Sequence, residues 1–393
     1  MFSVENLYYV LYNNLLKPNN IVDSFFTPFG STAPDDLKFF TYHDFDNTGE
    51  MNHLRYCLFW DQEPIFQKQF DQVSVQHAGK ILNRSHCKIL ANSEYSSFKN
   101  QICKDHNFLD FYYFYHGFAA LDWLRDYKYL NKTNNFDKVF ITLNRLCTQE
   151  RSYRLTLVSH LLEENLVDKG HVSLHYLSKP NLSLKEELFG ADSLLSKNSK
   201  KLIYKNLFNR NKEFLLDGAV GGAASAHVGH QEHNLLTSAF LNVVTETVFY
   251  HNKLHLTEKI FKPIATYRPF LLVASPGSLS YLKSYGFKTF DRWIDESYDL
   301  EQDHDTRIEK IVKEIFKIGQ LSKTQLIDMY YDMIPILEHN HEHFYNNFKI
   351  SITKELLTNW QNVFHRWNNG LGPRDQLKLE NYDFDKLLKL IAQ

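Results

Sequence analysis

The stretch Phe240–Gly277, FLNVVTETVFYHNKLHLTEKIFKPIATYRPFLLVASPG, decides the fold class. It reads as an apolar strand ending at Val244–Thr245, a loop carrying Glu246, a helix opening at Leu256-Thr257-Glu258-Lys259, a second strand at Pro269–Ala274 and a Pro-Gly turn. Thr257 occupies the cap position and Glu258 lies just inside the helix, a favourable order for a helix start. Strand, helix and strand make a βαβ unit, the building block of parallel sheets. At the carboxyl edge of such a sheet the helix N-terminus offers free N–H groups and a partial positive charge. Those suit a pyrophosphate, with Lys259 as an added cation. Glu258 suits ribose or sugar hydroxyls, so the parts of a nucleotide-sugar site are present together.

The same alternation extends outward. Further strands are expected at Arg55–Trp60, Lys88–Ala91, Phe111–Tyr115, Val139–Leu143 and His171–Tyr176. Arg151–Glu164 places Leu155, Val158, Leu161 and Leu162 at helical spacing, and Arg307–Leu321 carries Ile308, Ile311, Val312, Ile315 and Ile318 on one stripe. The whole is an α/β pattern with parallel sheets. The polar stretch Tyr129–Asp137, YLNKTNNFD, has the composition of a linker. It implies a first α/β domain over 1–133, a second over 134–345, and a helical tail over 346–393 that packs back on the first domain.

A chain of 393 residues is long enough for two cores, and 44 Lys and Arg against 46 Asp and Glu leave a net charge of −2. No general polyanion-binding field follows from that balance. Cysteines 57, 87, 103 and 147 form no C-x-x-C pair and read as reduced thiols. The opening MFSVENLYYV carries Glu5 and no basic n-region, and no apolar run approaches a membrane span. A cytoplasmic protein is expected, in which the N-x-S/T triplets at Asn83, Asn131 and Asn181 carry no meaning. The aromatic fraction of 15% reads as codon bias rather than as a stacking function.

A second block, Val139–His160, VFITLNRLCTQERSYRLTLVSH, is a strand, a polar turn and a helix with Arg145, Arg151 and Arg154 around the turn. Guanidinium forks match diphosphate geometry, and surface arginines on a helix are the plainer reading. Taken with T-E-K opening a helix after an acidic strand end, the two blocks resemble the donor motif of the α1,3-fucosyltransferase-like glycosyltransferases. They also resemble glycosyltransferases encoded by large bacterial viruses (phage). The resemblance implies the GT-B fold, two Rossmann-like domains facing a central crevice, with an inverting reaction. It implies that Glu258 contacts the donor sugar or ribose, Lys259 contacts phosphate, and Glu246 is the acidic residue of the preceding loop. Arg154 matches the family's phosphate-binding arginine, with Asn144, Arg145 and Arg151 as neighbours and Thr257 as the cap. Leu184–His233 is then an insertion.

On the acceptor side, Trp60-Asp61-Gln62-Glu63-Pro64 follows a strand directly, and a carboxylate at a strand's carboxyl end suits a general base. The family places a glutamate after a comparable strand, in a G-E-N context. Here Glu63 and Asp61 compete for that role, and His116, followed by Gly117, is a third candidate. Asp122 and Arg125 have the spacing of a helical pair. Gly218–His233, with His227, His230, Glu232 and His233, has the composition of a mobile loop rather than a zinc site. No Walker lysine pattern, G-x-S-x-G elbow or D-x-D metal motif stands out, so no metal and no cofactor beyond a GDP- or UDP-sugar co-substrate is expected. Lys197–Lys212 carries six basic residues and no acidic one, an ordinary solvated helix face or a patch for a phosphate-bearing acceptor.

The expected function is transfer of a sugar from a nucleoside-diphosphate donor to an acceptor hydroxyl, on a glycan or similar molecule. The rivals are glycosylation of a modified base in DNA and a glycosyltransferase-like binding protein without catalysis.

Overall fold

The computed structural model describes residues 3–19, 21, 23–26, 39–41, 55–76, 87–130, 132–176, 184–210, 213–216, 230–370 and 384–392. The chain divides into two compact units, Met1–Asp122 with Asn346–Gln393, and Trp123–Tyr345. The division falls before YLNKTNNFD, because Arg125–Tyr129 forms a 3-10 turn that belongs to the second unit.

In the first unit the strands are β1 (Asp23–Phe26), β2 (Phe39–Thr41), β3 (Arg55–Trp60), β4 (Cys87–Asn92) and β5 (Phe108–Tyr112). They form one parallel sheet in the order β2-β1-β3-β4-β5. Leu58 of β3 lies opposite Leu90 of β4. Both join a core with Trp60, Ile65, Phe70 and Ile102, as expected for strands covered on both faces. Strand β5 ends three residues before the expected Tyr115, and the helix α1 (Tyr115–Trp123) begins there. The run FYYFY offers no period to separate the two, because the first six residues of α1 are as buried as the strand. His116 therefore sits in the first turn of a helix rather than on a strand-end loop.

The chain re-enters the first unit at Asn346, inside a π turn, Phe344–Phe348, that joins two long helices. The second of these, α2 (Lys349–Gly370), covers β5. Trp360 meets Phe111 edge to face at 5.1 Å, and the Asn359 side chain donates to the Tyr112 carbonyl at 3.0 Å. The tail thus packs on the sheet of the first unit.

In the second unit β6 (Lys138–Asn144), β7 (Gly170–Leu174), β8 (Ala239–Thr245) and β9 (Phe270–Val273) form a parallel sheet in the order β9-β8-β6-β7. Every residue of β8 is buried. The helices α3 (Tyr153–Glu163) and α4 (Glu258–Ala265) follow β6 and β8. After β9, Gly277 adopts φ +82°, a conformation that favours glycine and turns the chain into the next helix.

Cys57, Cys103 and Cys147 are buried free thiols. Burial pushes the Cys103 and Cys147 thiols up to about 12, so both are protonated near neutrality. Among the described residues no helix is long and apolar enough to cross a membrane. Asn83, Asn131, Asn181 and Gly218–Gly229, with His227, lie outside the described residues; His230 opens a short helix, His230–Thr237.

Candidate functional site

In an open parallel sheet the strand order reverses at one point, and ligands gather outside the carboxyl ends of the strands there. In the second unit that point lies between β6 and β8. The residues at those two strand ends are Asn144 and Thr245, and they are joined: the Thr245 hydroxyl donates to the Asn144 side-chain oxygen at 3.0 Å. Asn144 is fixed from the other side by the Ser173 hydroxyl, which accepts from its backbone N–H at 3.0 Å.

Glu246 follows Thr245 and is fully buried. One carboxylate oxygen accepts from the Thr257 N–H at 3.2 Å and the other from the Thr257 hydroxyl at 2.6 Å. Burial pushes the Glu246 carboxyl above its ordinary value, while the Lys259 ammonium and the Thr257 bonds oppose that shift. Thr257 is the N-cap of α4, its hydroxyl accepting from the Lys259 N–H. The Lys259 ammonium bonds to the Thr257 hydroxyl and to Glu258, each at 3.1 Å, and is one-third exposed. One side chain on the strand end therefore sets both the position of the helix N-terminus and the place of its cation.

Arg154 takes a different part from the one its fork geometry suggests. Its guanidinium is buried and donates to three main-chain carbonyls, Leu146 at 2.8 Å, Thr245 at 2.9 Å and Glu246 at 3.1 Å. These acceptors lie at the end of β8 and just past the ends of β6 and β8, and satisfying them fixes the loop that carries Glu246. The adjacent Tyr153 hydroxyl donates to the same Glu246 carbonyl at 2.6 Å. Arg154 is thus a positioning residue for the Glu246 loop, and the guanidiniums nearer solvent are Arg145, exposed, and Arg151, half-buried.

Beside this point, past the ends of β6 and β7, lies a small open depression. Arg145, Cys147, His175, Tyr176 and Glu187 are among its walls. Glu187 accepts from the Gln149 N–H at 2.8 Å, and burial raises its carboxyl.

In the first unit, order β2-β1-β3-β4-β5 places the reversal between β1 and β3, and Asp61 follows β3 directly. Asp61 is buried and accepts from the Tyr8 hydroxyl at 2.9 Å and from the Tyr113 hydroxyl. Burial lifts its carboxyl to about 6, against the opposing pull of those two donors. The loop beyond it is held at both ends. A ring nitrogen of His116 bonds to the Gln62 carbonyl at 2.9 Å, and the Glu94 carboxylate accepts from the Ile65 N–H at 2.7 Å. Glu63, between these anchors, is half-buried.

Among the described residues no group of His, Cys, Asp and Glu has the arrangement of a metal site. The letters D-x-D occur at Asp303-His304-Asp305, where Asp303 caps a helix and Asp305 accepts from Ser196 and Ser199, and also at Asp44-Phe45-Asp46 and Asp383-Phe384-Asp385, which lie wholly or partly outside the described residues. The sequence reading passed over Tyr8, Tyr113, Glu94 and Tyr153. Glu94 had a signal, a carboxylate just past the expected strand Lys88–Ala91, whereas Tyr8 lies 53 residues from its partner Asp61. Comparison with protein-family models, with curated proteins and with solved structures finds no match.

Proposed function

We propose that this chain is a cytoplasmic, nucleotide-sugar-dependent glycosyltransferase of the GT-B type, in which the second unit binds the donor and the first supplies the base. The observation that carries the reading is the Glu246–Thr257–Lys259 arrangement at the reversal point of the second sheet. A helix N-terminus and a lysine held at its mouth form a place for the diphosphate of a GDP- or UDP-sugar. Arg145 and Arg151, near the same strand end, add charge-assisted donors. In the reaction a base removes the proton of an acceptor hydroxyl. That oxygen bonds to the anomeric carbon as the bond to the diphosphate breaks, with inversion. Lys259 and the helix N-terminus stabilise the charge on the departing diphosphate without a metal.

Glu63 is the base in this scheme, because it shares the anchored loop with Asp61 and is half-buried where Asp61 is fully buried. Asp61, through Tyr8 and Tyr113, and His116, through the Gln62 carbonyl, hold that loop in place. The test is release of nucleoside diphosphate from GDP- and UDP-sugars in the presence of candidate glycans. Turnover lost in Glu63→Gln and Lys259→Ala, both folded, supports the scheme; unchanged turnover in either variant overturns that residue's role. Absence of turnover and of nucleotide binding in folded protein leaves a binding protein without catalysis.

A further inference from the structure

The segment Lys197–Arg210 is a surface element that keeps aromatic rings beside its exposed lysines. It is a helix, Lys197–Ile203, continued by a π turn, Tyr204–Phe208. Its inner face is firmly seated: Ile203 and Leu207 are fully buried, and Ser196 and Ser199 donate to Asp305. Its outer face, at helical spacing, presents Lys197, Lys201, Tyr204 and Lys205, with Phe208 half-buried beside Tyr204. Tyr204 and Phe208 stack with ring centres 4.6 Å apart, and Phe189, which is 68% exposed, meets Phe208 edge to face at 6.2 Å. Three rings in mutual contact at the surface, rather than in a core, mark an interaction site.

The charge around the rings narrows the partner. Between Lys197 and Arg210 there are five basic residues and no acidic one, so the rings on that segment lie in a basic setting, while Phe189 is flanked by Glu186 and Asp192. Of the basic residues Lys205 pairs with Glu163 at 2.7 Å, and the Arg210 guanidinium lies 5.0 Å over the Phe214 ring. A neutral glycan would use the rings and leave the cations idle, and a sulfated glycan would use the cations without a planar π face. Single-stranded nucleic acid supplies both, bases to stack and phosphates to neutralise.

We infer that the Phe189–Tyr204–Phe208 platform, with Lys197, Lys201 and Arg210 around it, binds single-stranded nucleic acid. The site stands on its own residues and does not depend on the donor reading. The test is fluorescence anisotropy of the whole protein with a labelled oligothymidylate, over a salt series, with a duplex of equal length, heparin and a neutral glucan as competitors. Base stacking on an aromatic ring predicts about a tenfold or greater loss of affinity in Phe189→Ala and in Tyr204→Ala. Lys201→Gln is expected to lower the slope of log affinity against log salt by about 0.7. Phe189 and Tyr204 are exposed, so both variants keep the fold, checked by circular dichroism; the salt slope and the competitors are read on the unaltered chain. No oligonucleotide binding, equal displacement by heparin with unchanged affinity in both aromatic variants, or stronger displacement by the glucan would each overturn the inference.

Discussion

Replacing Thr257 by valine, which has the same shape without the hydroxyl, tests the geometry of the second-unit site at its most connected atom. The hydroxyl caps α4 and donates to the buried Glu246 carboxylate at 2.6 Å. An N-cap is worth about 1 kcal/mol, and a hydrogen bond to a charged group about 1.5–3 kcal/mol. The variant also leaves a Glu246 oxygen buried without its donor. Together these give a loss of about 3 kcal/mol from the unit Trp123–Tyr345. For a unit of that size the expected fall in Tm is about 6–12 °C. The assay is differential scanning calorimetry at neutral pH, with Thr257→Ser as the control that keeps the hydroxyl and stays within about 0.5 kcal/mol of the native chain. A loss below about 1 kcal/mol in Thr257→Val would refute the reasoning, because the Glu246–Thr257 bond would then hold nothing in place.

Three further outcomes follow from buried charges. Folded Asp61 binds its proton more tightly than the unfolded chain does, with its carboxyl lifted from 3.8 to about 6. Its contribution to stability is therefore most favourable below about pH 4 and falls by about 3 kcal/mol as pH rises through about 6, a slope that Asp61→Asn should remove in urea titrations across that range. Arg154→Met removes three carbonyl bonds and is expected to destabilise the second unit by about 3 kcal/mol or more, whereas Lys259→Ala keeps the melting temperature within about 2 °C; equal effects in calorimetry would contradict the assignment of Arg154 as a positioning residue. Lys99, buried, is ion-paired with Asp110, which also accepts from Asn92 at 2.7 Å. Lys99→Met should cost about 1–3 kcal/mol, because Asp110 is partly exposed and keeps the Asn92 donor, and a neutral result in chemical denaturation would show that Asp110 finds another donor.

The parallel α/β organisation was legible because β3, β4, β6, β8 and β9 are short apolar runs bounded by polar turns, as strands covered on both faces must be. Strands β1 and β2 were not, since DSFF and FFT are too short to show a period. The strand–helix unit around Thr257 was legible for a similar reason: a capped helix soon after a buried strand leaves a local trace in Thr257-Glu258-Lys259. Arg154 shows where such reading stops. A fork of N–H groups suits a phosphate and a cluster of strand-end carbonyls equally well, and the choice depends on where β8 ends, almost a hundred residues away. The partners of Asp61 were illegible too, because Tyr8 and Tyr113 reach it only through the packing of the sheet.

The central claim is that the second unit holds a nucleoside diphosphate at the head of α4. Its most direct test is a thermal-shift panel of GDP, UDP, CMP, dTDP and ADP on the native chain and on Lys259→Ala. Saturation at about 100 times the dissociation constant adds roughly 2.7 kcal/mol of stability. The account predicts that GDP or UDP raises the Tm of the native chain and that Lys259→Ala, folded and equally stable alone, loses that rise. A native chain that no nucleotide stabilises, or a Lys259→Ala variant that keeps the full rise, would contradict it.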